Sequence, residues 1–474
     1  MARRPSAMSL LGTLVLAGCA TAGPDAARRP QLLSNYATAS LAGTGDWPRA
    51  AWWQAYGDPQ LDALIDAALK GSPDVAAAAA RVNRAQASTR QAQVAGQPTL
   101  SANASPTLSK QSYNNGIPAQ FIPRGFNDYG RATLDFNYEI DFWGRNRAGV
   151  AAAASEARAA AADRASAELM LSTSVASTYA QLAQLHGERR VALASVALRQ
   201  ATFDQVRQRV AGGLDTQAES RTAEAGVPTA RGQLGAIDEQ IALTRDALAA
   251  LTGAGPDAGL AITPPTLALA PATLPATLSV ELIARKPEVV AARWRAEAAA
   301  KRIGVARAEF YPNVNLVAFI GLQSLGLGNL VKAGSDIGQV GPAIGLPIFD
   351  GGRLRANLRG AEADYALAVA QYDSTVVRAL QDVADAATSI RALAGRLADA
   401  RAALASIEAA YHVAQLRYTG GLANYQSVLL VEDQVLQSRR AVVDLEARAL
   451  TLDVALIRAL GGGYTGDSAT LAAN

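Results

Sequence analysis

The chain has a single cysteine, Cys19, among 474 residues. A disulfide framework within the chain and a Cys-based metal site are therefore excluded. Histidine is almost as scarce, with His186 and His412 as the only two. Neither has a second ligand at metal-binding spacing, so both read as packed or solvated side chains and no metal centre is expected. No apolar run approaches the ~20 residues of a membrane-spanning helix, so any crossing of a bilayer falls to strands. Charge of one sign is not concentrated anywhere. The formal net charge of +3 includes Arg3 and Arg4, and the other charges alternate in sign along helical stretches, so nucleic acid is not an expected partner. A nucleophile elbow and a phosphate loop are also missing. Gly326-Leu327-Gly328 lacks the strand-turn-helix context of a nucleotide loop and reads as a hairpin turn. No catalytic residue, cofactor or enzyme class is indicated.

What the chain does have is alanine. Half of its residues are hydrophobic but only 5% are aromatic. Alanine with Leu, Glu, Gln and Arg is the composition of long, closely packed helices. Near the start, Arg3-Arg4 and an apolar run from Met8 to Ala17 lead into Leu16-Ala17-Gly18-Cys19. This pattern predicts a lipoprotein signal over residues 1–18, with the Cys19 thiol taking a diacylglycerol and the new N-terminus an N-acyl chain. Residues 19–58 then read as a Pro- and Ala-rich tether ending in the aromatic cluster Trp52-Trp53-Gln54-Ala55-Tyr56, which pins it to the body. A helix is predicted from Pro59 to Lys70. A second runs from Pro73 to about Gln97, with Ser72 as its N-cap.

The body is duplicated. Pro73-Asp74-Val75-Ala76-Ala77 recurs as Pro287-Glu288-Val289-Val290-Ala291, and Pro98 recurs as Pro312 at the same offset. Farther on, Gly144-Arg145-Asn146-Arg147-Ala148 recurs as Gly352-Arg353-Leu354-Arg355-Ala356, and Gly212-Gly213-Leu214 as Gly420-Gly421-Leu422. The first repeat spans 59–253, a connector 254–275, the second repeat 276–462 and a tail 463–474.

Within each repeat the helical period gives way to alternation, over about 99–141 and 313–349. From Thr133 to Asp141, Leu134, Phe136, Tyr138 and Ile140 alternate with Thr133, Asp135, Asn137, Glu139 and Asp141. In the second repeat Val314, Leu316, Ala318 and Ile320 share one face, and Val340, Pro342, Ile344, Leu346 and Ile348 share one face of the partner strand. Each repeat thus supplies a hairpin of strands of bilayer-crossing length, about 9–11 residues. From Gly144 to Gly212 and from Gly352 to Gly420 the sequence is Ala-rich and free of proline, which predicts two helices reaching about 100 Å at 1.5 Å per residue. Each turns at Gly-Gly-Leu and returns as a further helix, giving helical hairpins over 144–253 and 352–462. Pro228 in the first return helix predicts a kink or an interruption, placed at the middle of the hairpin.

Four membrane-length strands cannot close a barrel, because about eight is the smallest useful number and an open edge in lipid leaves backbone groups unsatisfied. Several chains must share one barrel, continued by a helical tube. Asp135, Asn137, Glu139 and Asp141 then face a wet lumen, either as acidic rings that favour cations or as a wet face that accepts any polar residue.

The Leu16 to Cys19 lipobox, Trp52-Trp53 through Gly57-Asp58-Pro59, the run Tyr138 to Arg145, the run Leu346 to Arg353 and the tip Arg417 to Tyr425 together resemble the TolC-like outer-membrane efflux proteins, in their NodT or OprM-type lipoprotein branch. The resemblance implies an α+β membrane protein. Long helical barrel hairpins carry four strands per chain, and a homotrimer shares one twelve-stranded outer-membrane barrel extending into the periplasm. It implies as partners a periplasmic membrane-fusion adaptor, an inner-membrane pump of the resistance-nodulation-division (RND) type and the outer-membrane lipids. Gate positions carried over from the family are Glu219 and Arg221 after the first turn and Arg417 and Tyr418 at the second. Leu430 stands where many members have an aspartate and Asp433 where they have an arginine. The alternative from another class is a coiled-coil lipoprotein that spaces the outer membrane from the cell wall without a pore, which leaves the duplicated strands unexplained.

Overall fold

The computed structural model describes residues 45–114, 116–268, 274–275 and 284–466. The expected signal over 1–18, Cys19, most of the tether, part of the connector and the end of the tail lie outside them.

Seven helices and four strands are described. A 3₁₀ turn, Trp52–Tyr56, precedes α1 (Pro59–Gly71) and α2 (Pro73–Ala95). The strands β1 (Thr99–Ser109) and β2 (Asn127–Glu139) lead into α3 (Arg145–Ala211) and α4 (Gln217–Leu251). The second repeat follows the same order: α5 (Pro287–Ala308), β3 (Asn313–Leu325), β4 (Asp336–Gly345), α6 (Arg353–Thr419) and α7 (Tyr425–Ala459). The duplication is metric as well as sequential, since α3 and α6 each have 67 residues and α4 and α7 each have 35. None of the described helices is long and apolar enough to cross a membrane.

The four strands form one antiparallel sheet in the order β1-β2-β3-β4. Two strand limits differ from the reading of the sequence. β2 stops at Glu139 and β4 at Gly345, so Asp141, Leu346 and Ile348 lie beyond the ladder. Alternation alone does not mark where hydrogen bonding ends, and Pro347, with no N–H to donate, follows directly on Leu346. Ser72 occupies the N-cap of α2 but its side chain makes no capping bond. α4 runs unbroken through Pro228. That residue lies on the tip side of Ile241 and Leu248, the α4 residues of the central core, so it neither interrupts the helix nor sits at the hairpin's middle.

The sheet hangs on the helices through Trp143. Its ring stacks on Tyr311 at 4.6 Å between centroids, and its Nε1 donates to the Pro312 carbonyl at 2.8 Å, tying the first repeat to the second. Below, α3 packs against α2, α4, α5 and α7, and α6 against α5 and α7. The seams are narrow because they are built of Ala152, Ala159 and Ala162 rather than Leu. At Gly187 in α3 a Cβ would lie 2.7 Å from Val443 Cγ1 in α7. Gly187→Val should therefore cost about 1–3 kcal/mol by overpacking, read as an earlier thermal transition, whereas at Gly232, where a Cβ would meet nothing, the same change should be tolerated.

The largest core lies half-way along α3, where Val175, Tyr179 and Leu182 meet Trp52, Tyr56, Leu61, Ile65, Leu248 and Val454. Each fully buried aliphatic side chain there contributes about 1.5–3 kcal/mol. Polar groups inside it are paired: Tyr179 donates to Asp58 at 2.8 Å, Asp58 accepts from the Thr266 amide at 2.8 Å, and Tyr56 donates to Asp453 at 2.5 Å. The aromatic cluster does pin the N-terminal segment to the body, through a carboxyl on α7. Burial pushes the Asp453 pKa up, and the Tyr56 hydrogen bond only partly offsets it. The folded chain thus holds this proton more tightly than the unfolded one. Its stabilisation is full below the ordinary carboxylate range and is lost as pH rises through the raised pKa. Asp453→Asn keeps an acceptor for Tyr56 and should raise the melting temperature by a few degrees at alkaline pH, with the difference vanishing in acid. A gap independent of pH would show that Asp453 has the same pKa in the folded and the unfolded chain.

Candidate functional site

The register of the sheet sorts its side chains into two faces. Leu134 sits between Ala102 and Ile320, Phe136 between Leu100 and Ala318, and Leu316 pairs with Tyr138 and Pro342. With Val340 opposite Ala318 and Ile344 opposite Val314, this face is apolar across all four strands. Leu100, Leu134, Ile320, Val340 and Ile344 are all exposed. The other face carries Ser101 and Asn103 on β1, Thr133, Asp135 and Asn137 on β2, and Asn315 on β3. A sheet apolar on one side and, on β1 and β2, polar on the other, with Val317 and Phe319 interrupting that face on β3, and 10–13 residues long per strand suits a wall between lipid and water. Its outer strands, β1 and β4, each keep one edge unpaired among the described residues.

Three of the four lumen candidates lie on that polar face. Asp135 accepts from Asn103 Nδ2 and Thr133 Oγ1, both at 2.8 Å. Glu139 is ion-paired to Arg145 at 2.7 Å. Asn137 faces the same way opposite Thr99 and Val317. Asp141, beyond the end of β2, instead caps α3, accepting from the Asn146 and Arg147 amides at 3.3 and 3.0 Å. Two of the three acids thus already have an arginine, since Arg147 Nε also lies 3.4 Å from Asp141.

At the far end both hairpin turns have one construction. Gly213 and Gly421 take left-handed φ of 72° and 74°, which lets the Leu214 and Leu422 amides reach back to the Arg209 and Arg417 carbonyls at 2.8 and 2.7 Å. The second glycine of each pair does the turning, as a Schellman motif requires. Tyr418 is 1% exposed, and its hydroxyl donates in a short hydrogen bond to Asp215, just past the other turn. Arg209 Nε lies 3.0 Å from the same carboxylate, and its guanidinium is 4.4 Å from the Tyr418 ring centroid. Burial first, then the hydrogen bond to Asp215, pushes the Tyr418 hydroxyl above its usual pKa. One carboxylate therefore clasps the two hairpins together.

Nearly three helical turns back along α3 from Arg209 lies a second knot. Arg199 Nε is 3.1 Å from Glu432 Oε1, and another guanidinium nitrogen bonds Asp433. Glu432 is 0% exposed and also accepts from Thr202 Oγ1 at 3.3 Å. Arg199 is near Oε1 but no donor points along its hydrogen-bond line, and burial pushes the Glu432 pKa up. Burial and the adjacent Glu432 charge raise the Tyr411 hydroxyl to about 12.

Of the four gate candidates, Tyr418 alone is within this clasp. Arg417 is exposed and makes no ion pair among the described residues. Glu219 closes a capping box with Thr216, and Arg221 pairs with Glu224 at 2.7 Å on the open helix surface. Reading the sequence missed Arg199, Thr202, Arg209, Asp215 and Glu432. A signal was present in the duplication: Arg209 is the repeat mate of Arg417, and Asp215 stands where the second turn has Ala423. Of the two histidines, His186 is half-buried, with its pKa lowered by burial and then by Arg245, while His412 is exposed.

Comparison with known proteins places these features in company. The model of the outer membrane efflux protein family matches residues 64–254 and 278–462. The multidrug resistance outer membrane protein MdtP of Escherichia coli K12 is 33% identical, with 96% of each chain covered. The fusaric acid resistance protein FusA of Burkholderia cepacia is 37% identical over 74% of this chain and 68% of its own length. Among solved structures, the outer membrane protein VceC of Vibrio cholerae superposes with a TM-score of 0.83 at 46% identity, covering 88% of this chain and all of that one.

Proposed function

The chain belongs to the outer membrane efflux protein family, a family of channels rather than catalysts, and we propose that three copies of it form the passive exit duct of an RND-type export system. The observation that carries this is the two-faced sheet with both edges open. Three copies joined edge to edge, β4 to β1, make twelve strands, enough to enclose water. The long helices continue the tube into the periplasm. A periplasmic adaptor meets its tip and links it to an inner-membrane pump, which supplies the energy. The solutes are small organic toxicants of the kind named for its relatives, multidrug and fusaric acid resistance. Cys19 supports a lipid anchor, holding diacylglycerol and an N-acyl chain.

The test is conductance in a planar bilayer with the purified protein, combined with its electrophoretic size before and after heating. Rare, small openings from a heat-dissociable trimer are expected. A folded trimer that never conducts, even with its tip unclasped, would sink the duct and favour a spacer.

A further inference from the structure

Just beneath the sheet the chain exposes two apolar wedges, one per repeat. The first is Phe142-Trp143, and the second is Ile348-Phe349, at 85% and 92% exposed. Each leads to glycine, directly in the first and after Asp350 in the second, and then to arginines in alternate positions, Arg145 and Arg147 in one case, Arg353 and Arg355 in the other. The two differ in how the charge is met. Arg145 and Arg147 pair with Glu139 and Asp141. Arg353, Arg355 and Arg359 are exposed and make no ion pair among the described residues.

The neighbouring carboxylate of Asp350 feels the charge of Arg353 but forms no ion pair with it. Asp350 is engaged by the Gly352 and Leu354 amides at 2.9 and 2.8 Å, so the first backbone donors of α6 are already taken and the arginine side chains remain. No residue of the first turn of α6 is acidic. Arginine there opposes the helix dipole, so helix stability does not explain its placement. Arg355 and Arg359, four apart, share one helix face. Between the wedges is a cavity of about 240 Å³, lined in part by Trp143, Tyr311, Pro347 and Arg353.

We propose that Ile348 and Phe349 insert at the headgroup boundary of the periplasmic leaflet and that Arg353, Arg355 and Arg359 bind the phosphodiester of a phospholipid there. The wedge follows in the chain directly after the lipid-side stripe of Val340, Pro342 and Ile344, which occupy every second residue of β4. Guanidinium against phosphate supplies the charge complement, and an apolar tip with a basic flank is the chemistry of interfacial anchors. This rests on the reading that the sheet crosses a membrane.

Two tryptophan variants separate the two claims. In liposomes of phosphatidylethanolamine and phosphatidylglycerol, Val340→Trp should be quenched by lipid brominated along the chain. Phe349→Trp should be quenched several-fold more by lipid brominated near the headgroup than by lipid brominated near the chain end. Quenching of the first without the second overturns the phospholipid site and leaves the barrel intact. Quenching of neither overturns both. In parallel, Arg353→Gln with Arg355→Gln should reduce several-fold the phospholipid retained by the detergent-purified trimer in native mass spectrometry. Retention unchanged overturns the proposal, as does a Phe349→Trp trimer that falls apart, which would make Phe349 a contact between copies.

Discussion

Asp215→Ala should open the periplasmic end of the duct. The side chain is 5% exposed and serves both Arg209 and Tyr418, so its loss removes the shared partner of two residues on different hairpins. A hydrogen bond to a charged group is worth about 1.5–3 kcal/mol. If the clasp is made only in the closed tip, the open population should rise roughly tenfold to a hundredfold. The measurement is open probability in a planar bilayer. Tyr418→Phe, which removes the hydroxyl and keeps the ring under Arg209, should have a smaller effect. Arg417→Ala should have almost none. A channel opened by Arg417→Ala and indifferent to Asp215→Ala would place the lock elsewhere.

The second large effect is on stability. Arg199→Leu should cost about 3–5 kcal/mol, because it strands a buried carboxylate without its counter-charge. Asp433, the other partner of Arg199, is half-exposed and turns to water, so the penalty resides in Glu432. The double change Arg199→Leu with Glu432→Leu should recover most of the loss, since a buried ion pair replaced by apolar groups of similar volume is often neutral. Denaturant unfolding of the four proteins closes the cycle. Additive losses would mean that the pair is not coupled. The raised pKa of Glu432 adds a pH signature. Its protonated form is the better tenant of the site, so Arg199→Leu should be least damaging in acid and worsen as pH rises through the raised pKa.

The helices and strands were legible because their signals are long. A proline-free, alanine-rich stretch between two glycine turns leaves little but a helix, and it ends where glycine can turn it. Leu134, Phe136 and Tyr138 against Asp135, Asn137 and Glu139 give the period of two directly, and the register confirms their faces. The tip was less legible. Tyr418 is there, but its partners Arg209 and Asp215 come from a hairpin more than two hundred residues away in sequence. Which arginine of a repeat pair turns inward depends on how the hairpins pack, and no local pattern carries that. Asp141 was misplaced for a related reason. Alternation continued two residues past the end of β2, into a residue whose task is to cap a helix.

The outer strands each contain a proline, Pro106 opposite Gly130 and Pro342 opposite Leu316. Proline belongs on strand edges, where its missing donor is least felt and where it discourages adhesion to the wrong neighbour. A newly made subunit has to travel with both edges bare, so these residues guard it in transit. They also leave each seam between copies with fewer donors than the ladders inside one chain. Heat should unzip the cylinder along its three seams before it melts any single sheet. In a cell carrying both normal and seam-defective alleles, the supply of sound cylinders should fall as the cube of the normal fraction, making such alleles dominant.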